Sequence, residues 1–223
     1  MNEHHLQVAR TARYYTLGAA GPVTREVWIV CHGYAQLARY FLQAFTHLDD
    51  GTRLIVAPEA LNRYYFETAP GVHAHDARVA ATWMTREDRE HDIADYVTYL
   101  DDLADAVQGV QRSVRPRLIA LGFSQGAATV SRWAARGVTR FDHVVLWGAG
   151  MAPELEPGPD LFRGAQVTLA FGSRDDYVSP ARIAAEEERL RAAGMRRSTI
   201  HYDGTHRLET DGLQKLAELV SRS

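Results

Sequence analysis

A serine hydroxyl attacks a carbonyl only when a neighbouring base takes its proton. That base is usually a histidine whose tautomer is held by a carboxylate. The residues Gly122-Phe123-Ser124-Gln125-Gly126 offer such a hydroxyl. They follow Arg117-Leu118-Ile119-Ala120-Leu121, a short apolar run that reads as a buried strand, and precede Ala127-Ala128-Thr129-Val130, which reads as the start of a helix. A Gly-x-Ser-x-Gly set between strand and helix predicts a very tight turn, with the serine strained and projecting above the sheet edge. Side chains at Gly122 and Gly126 would collide with neighbouring backbone, which accounts for both glycines. The helix that begins there aims its first N–H groups at any oxyanion formed near the serine.

A working serine of this kind requires an acid and then a histidine downstream, each in a loop after a strand, because ligands of open α/β sheets sit at strand C-termini. Both are present in that order. After a strand ending at Phe171 comes Gly172-Ser173-Arg174-Asp175-Asp176-Tyr177-Val178-Ser179-Pro180, and after a strand ending at Tyr202 comes Asp203-Gly204-Thr205-His206. Asp175 and Asp176 are adjacent, and only one can face His206. The spacing from Gly172 and to Val178 favours Asp175, with Asp176 capping the turn or the following helix. His201 competes with His206 but lies within the strand. Upstream, His32-Gly33-Tyr34 ends an apolar run, Val27 to Cys31, expected beside the serine strand. Two backbone donors are expected to hold the oxyanion, the N–H of Gln125 and the N–H of Tyr34 from that earlier loop. His32 then holds the loop.

The elements that must position these residues read as an alternation of strands and helices. Leu6 to Leu17 reads as an edge strand or hairpin. The runs 27–31, 53–58, 117–121, 143–147, 166–171 and 198–202 read as buried parallel strands. A helix is expected after Tyr34, with Leu37, Phe41, Ala44, Phe45 and Leu48 on one face. A long helix is expected from about Glu87 to Gln111, with Asp101, Asp102 and Asp105 on a solvated face. The helix after Ser124 should end at Gly137 in a left-handed cap. Ser179-Pro180 predicts a capped helix start. Residues 59–86 show no clean periodicity, and 148–164 read as loop. The implied architecture is a single α/β domain over 1–223, a mostly parallel twisted sheet of about seven strands with helices on both faces.

Composition excludes several function classes. A net charge of −3 over 223 residues gives no electrostatic case for nucleic acid, nor for an anionic membrane surface. Basic residues are almost all arginine, with Lys215 the only lysine, which reads as codon bias in preference to phosphate binding. Cys31, the only cysteine, permits neither an intrachain disulfide nor a thiolate cluster, and reads as a buried thiol. No apolar stretch approaches membrane-spanning length. Met1-Asn2-Glu3-His4-His5 shows no basic segment followed by an apolar one, so no signal peptide is expected and the cytoplasm is the default location. His73, His75 and Asp76 have metal-binding chemistry, but with no further cluster they read as surface residues. No metal or organic cofactor is expected. Trp83, Met84 and Tyr65, in the aromatic 59–86 segment, are candidate substrate contacts, with satellite core as the alternative.

The set His32-Gly33-Tyr34, Gly122-Phe123-Ser124-Gln125-Gly126, Gly172-x-x-Asp175-x-x-Val178 and Gly204-Thr205-His206 resembles the α/β-hydrolase superfamily. Within it, the set resembles the phospholipase/carboxylesterase family, which includes acyl-protein thioesterases and bacterial carboxylesterases. The match runs in the same order over roughly residues 25 to 220, and Gly-Phe-Ser-Gln-Gly is that family's usual elbow. The chain departs from the family's His-Gly-Leu-Gly in having His32-Gly33-Tyr34-Ala35. The resemblance implies a serine esterase on small-molecule esters or thioesters, with Ser124, Asp175 and His206 as triad. An acyltransferase, lysophospholipase or peptidase on the same triad, or a non-catalytic binding protein of the same fold, are the alternatives.

Overall fold

The computed structural model describes residues 1–66, 77–109 and 115–222. In chain order the elements are β1 (Tyr14–Leu17), β2 (Glu26–Cys31), α1 (Ala38–Phe41), β3 (Arg53–Pro58), β4 (Asn62–Phe66), β5 (Arg78–Thr82), α2 (Arg89–Gln108), β6 (Arg117–Phe123), α3 (Gln125–Arg136), β7 (His143–Trp147), β8 (Gln166–Gly172), α4 (Pro180–Ala192), β9 (Arg197–Tyr202) and α5 (Thr210–Arg222). The main sheet has seven strands in the order β1-β3-β2-β6-β7-β8-β9. All neighbours are parallel except β1, which runs antiparallel to β3 along one edge.

Strand alternation divides the core into two layers. On β2, Val27, Ile29 and Cys31 face α2 and α3, while Trp28 and Val30 face α1 and α5. Every residue of β2 is buried, as near-continuous apolar strands covered on both faces must be. The one acid in it, Glu26, answers Arg53, Arg117 and the Trp28 indole N–H.

Several expectations change. The unperiodic 59–86 segment contains a two-stranded hairpin, β4 paired antiparallel with β5 from Asn62↔Thr82 to Phe66↔Arg78. The expected helix after Tyr34 is one α turn followed by a 3₁₀ stretch, Leu42–Leu48, which still buries Phe41, Phe45 and Leu48. Gly137 closes α3 in an extended conformation (φ −73°, ψ 175°), not a left-handed one. Asp101 is not merely solvated. It accepts from the Trp133 indole (2.8 Å), the N–H of Val138 (2.9 Å) and Thr139 Oγ1 (2.6 Å), and so substitutes for the missing cap at the end of α3. The first thirteen residues are in no strand. At the start of α4, Ser179 accepts from the Arg182 N–H, as the Ser-Pro pair predicts. His73, His75 and Asp76 lie outside the described residues.

Candidate active site

The site gathers at the C-terminal ends of the parallel strands. At the end of β6, Ser124 has φ 54° and ψ −116°, a conformation L-residues rarely adopt. Such a residue costs on the order of 1–3 kcal/mol and persists only where its surroundings over-determine it. Here they do. A Cβ at Gly122 would strike the Gly126 carbonyl, and one at Gly126 would strike the Cys31 carbonyl at the end of β2. The Ser124 N–H donates to the Trp147 carbonyl of β7 at 2.8 Å. The turn is locked on both sides, and α3 begins with the next residue.

The structure brings Asp175 and His206 together from the loops after β8 and β9. Asp175 Oδ2 lies 2.8 Å from His206 Nδ1. The aspartate side chain is fully buried, while that of His206 is 16% exposed. Asp175 Oδ1 accepts from the N–H groups of Tyr177 (2.8 Å) and Val178 (3.2 Å). The turn is therefore capped by Asp175 itself. Asp176 is exposed and takes neither the turn-capping nor the helix-capping place expected of it, the latter belonging to Ser179. With Nδ1 donating to Asp175, Nε2 carries the imidazole lone pair. The ring lies between Phe123 (centroids 4.9 Å apart), which precedes the serine, and Tyr177 (4.6 Å). Behind it, Trp147 Nε1 donates to the Tyr202 hydroxyl (2.8 Å), which in turn donates to the Arg207 carbonyl (2.9 Å). These bonds anchor the chain on both sides of His206. The Ser124 hydroxyl makes no hydrogen bond among the described residues. His201, the competing histidine, points out from β9.

The loop after β2 completes the arrangement. The N–H groups of Tyr34 and Gln125 donate to no acceptor among the described residues. Ala35 sits at φ 61°, with its N–H on the Ala81 carbonyl (3.0 Å). His32 is fully buried. Its Nδ1 bonds the Gly33 carbonyl (2.8 Å), and its Nε2 accepts from the Ala60 N–H (3.1 Å). Burial pushes its pKa down to about 4, against smaller opposing effects from the Gly33 carbonyl and Glu59, so the ring is neutral at neutral pH. Cys31, the neighbouring thiol, is raised well above the usual thiol range by burial and offers no nucleophile.

Local sequence patterning left out the Gln125 side chain. Its Nε2 donates to Thr82 Oγ1 (2.9 Å) and the Met84 carbonyl (3.0 Å), and its Oε1 accepts from the Trp83 N–H (3.2 Å). Partners 41–43 residues away leave no trace in a local pattern. Trp83 is 1% exposed, with its indole N–H on the His32 carbonyl (2.8 Å) and its ring 5.2 Å from the imidazole. It therefore presents no surface to a substrate and braces the loop from beneath. Met84 is half-buried, and its sulfur faces Arg132 (3.4 Å). Tyr65 is 53% exposed on the hairpin. Among the described residues, three possible metal-ligand side chains converge at one place, the exposed His5, Asp88 and His91. None of these contacts Ser124, Asp175 or His206.

No protein-family model matches the chain, and no curated protein is similar to it. Solved structures are similar in fold. The crystal structure of Zea mays acyl-protein thioesterase 2 superposes with a TM-score of 0.68 at 14% identity, covering 95% of this chain and 99% of that one. The Bacillus cereus carboxylesterase gives 0.64 at 16% identity, over 95% and 94%. Esterase PE8 gives 0.62 at 18%, over 96% and 99%. The chain has the α/β-hydrolase fold.

Proposed function

We propose that the chain is a serine hydrolase acting on carboxylic esters or thioesters. The observation that carries this reading is the 2.8 Å contact of His206 with the buried Asp175 carboxylate, on an imidazole packed against the residue preceding the strained Ser124. Ser124 Oγ attacks the carbonyl carbon while His206 Nε2 takes its proton. The oxyanion is held by the N–H groups of Tyr34 and Gln125, which have no other partner among the described residues. Collapse expels the alcohol or thiol, which takes the proton from His206. Water then attacks the acyl-enzyme with His206 as base, releasing the acid and restoring Ser124. Asp175 orients the imidazole and stabilises its cation throughout. No step calls for a cofactor. On this reading Tyr65 and Met84 are the candidate substrate contacts of the hairpin region, and Trp83 is a support. The esterase and thioesterase names of the structural neighbours agree with this chemistry.

Ser124→Ala should lower turnover of a short-chain aryl ester by about 10³-fold or more, with an unchanged melting temperature. It should also abolish labelling by a fluorophosphonate probe. Full turnover in that variant removes the proposal. Asp175→Asn should cost about 10³–10⁴-fold in kcat, while Asp176→Asn should cost little. A large loss in Asp176→Asn with little in Asp175→Asn would reassign the acid.

A further inference from the structure

We propose that a cleft at the N-terminal ends of the strands, opposite the Ser124 end of the sheet, binds a phosphorylated small molecule. The cleft encloses about 480 Å³ and, among the described residues, is lined by Arg115, Arg117, Arg140, Arg163 and Arg196, facing a single carboxylate, Asp142. In a chain with a net charge of −3, this is a local inversion of sign. Four of the five arginines come from different connections, those leading into β6, β7, β8 and β9. The topology thus brings together guanidinium groups far apart in sequence.

The lining acid is already engaged. Asp142 Oδ2 accepts from the Leu118 N–H (2.7 Å) and lies 3.4 Å from Arg115. Arg117 pairs with Glu26 (3.0 Å), and Arg163 donates to the Gly137 carbonyl (2.6 Å). The guanidinium groups of Arg140 and Arg196 are different. Both residues are exposed, and neither guanidinium has a hydrogen-bond or ion-pair partner among the described residues. Asp102 and Asp105 border an adjoining cleft that Arg140 also lines, but neither carboxylate forms an ion pair with it. His143 also borders the cleft. It is buried and bonded to Thr168 Oγ1 (2.7 Å), so it adds no charge.

Two unpaired planar forks beside three fixed cations suit a group with several strong acceptor oxygens and at least two charges. A phosphoryl group meets that demand through bidentate N–H···O contacts. A cleft of this size suits a small ligand, since such sites span about 300–1,000 Å³. The shared chemistry leaves two sources, a soluble phosphate ester and a phospholipid head group.

Isothermal titration of the full chain with inorganic pyrophosphate at low ionic strength should give saturable one-site binding. The double variant R140Q/R196Q should weaken it by about tenfold or more, since charge-assisted forks are lost without stranding a paired acid. The control R10Q/R182Q, with the same change in net charge at exposed positions elsewhere, should leave it unchanged. Absence of saturable binding, or equal weakening by both double variants, overturns the proposal. Sedimentation with phosphatidylcholine vesicles, with and without phosphatidic acid, separates the sources. Phosphatidic-acid-dependent sedimentation that R140Q/R196Q abolishes assigns a lipid head group, and pyrophosphate binding without sedimentation assigns a soluble ligand. Because both arginines are exposed, R140Q/R196Q should melt with the parent, which separates lost binding from lost fold.

Discussion

Two loops each contribute one backbone N–H to the proposed oxyanion site, and they are held in place by opposite means. The elbow after β6 is shaped by what is missing. Gly122 and Gly126 let α3 approach the ends of β6 and β2 so closely that no Cβ fits between them. The loop after β2 is shaped by what other elements lend it. Ala81 takes the Ala35 N–H, Trp83 holds the His32 carbonyl, and Ala60 holds the His32 ring. The Gln125 side chain links the two, because it leaves the elbow helix and grips Thr82, Trp83 and Met84. One N–H is positioned by steric exclusion, the other by a chain of hydrogen bonds running through the end of β5. The first is rigid and intolerant of any added atom. The second is adjustable and can be weakened one bond at a time.

The largest expected effect breaks the rigid side. Gly126→Ala forces a methyl against the Cys31 and His32 carbonyls and should cost about 3 kcal/mol in urea unfolding, or prevent folding. A cost below about 1 kcal/mol would mean that the helix start can shift, and the contrast between the loops would fail.

The next effect reads the lent side through pH. His32 and His143 both have pKa values pushed down to about 4 by burial, against about 6.5 in the unfolded chain. Below pH 6.5 the unfolded chain therefore binds protons that the folded chain refuses. Their contribution to stability is complete above about pH 6.5 and is lost as the pH falls toward 4, with each neutral buried ring worth roughly 1–2 kcal/mol by pH 5. In His143→Gln the remaining slope between pH 6.5 and 5 should belong largely to the loop after β2. A flat melting curve over that window would show that His32 protonates without disturbing the loop.

Smaller again is Gln125→Leu, which keeps the backbone donor and removes the side-chain link. It should lower kcat for an ester about tenfold with little change in KM, because the loss falls on positioning in the transition state. Unchanged kcat would show that the loop after β2 holds its donor without help. The smallest effect is in the other direction. Ala35 occupies the left-handed region, where an L-residue is strained and glycine is not, so Ala35→Gly should raise stability by about 0.5 kcal/mol after the entropy of glycine is counted. A loss of stability would mean that the Ala35 methyl has a packing role outweighing the strain.

The same division sets what was legible in the residues. Ser124, Asp175 and His206 could be singled out as candidates because each lies in the turn or loop that follows an apolar strand run, and glycine spacing marks the turn at Ser124. Asp175 could be preferred to Asp176, but its second role, capping its own turn through Oδ1, depends on the fold of Tyr177 and Val178. The hairpin β4–β5 was missed because Asn62-Arg63-Tyr64-Tyr65-Phe66 carries only a half-buried alternation and Arg78-Val79-Ala80-Ala81-Thr82, exposed at its first two residues and buried at its last three, carries none, with no two-residue turn between them. Without the hairpin, the roles of Trp83 and the Gln125 side chain had nothing to attach to. The 3₁₀ stretch after α1 keeps the same apolar residues inward as a regular helix would, so periodicity alone does not separate the two. Five arginines that composition attributes to codon usage acquire a common surface only when four strands are laid side by side.

All four tryptophans are at most 1% exposed, and each donates its indole N–H: Trp28 to Glu26, Trp83 to His32, Trp133 to Asp101, and Trp147 to Tyr202. Their emission is accordingly a built-in optical gauge. In the native protein it should be blue-shifted and indifferent to soluble quenchers such as acrylamide, and it should move to the red only when a layer of the core opens. Trp83 lies at the junction between the hairpin end and the loop after β2. A variant retaining it as the sole indole would turn the breathing of that junction into light.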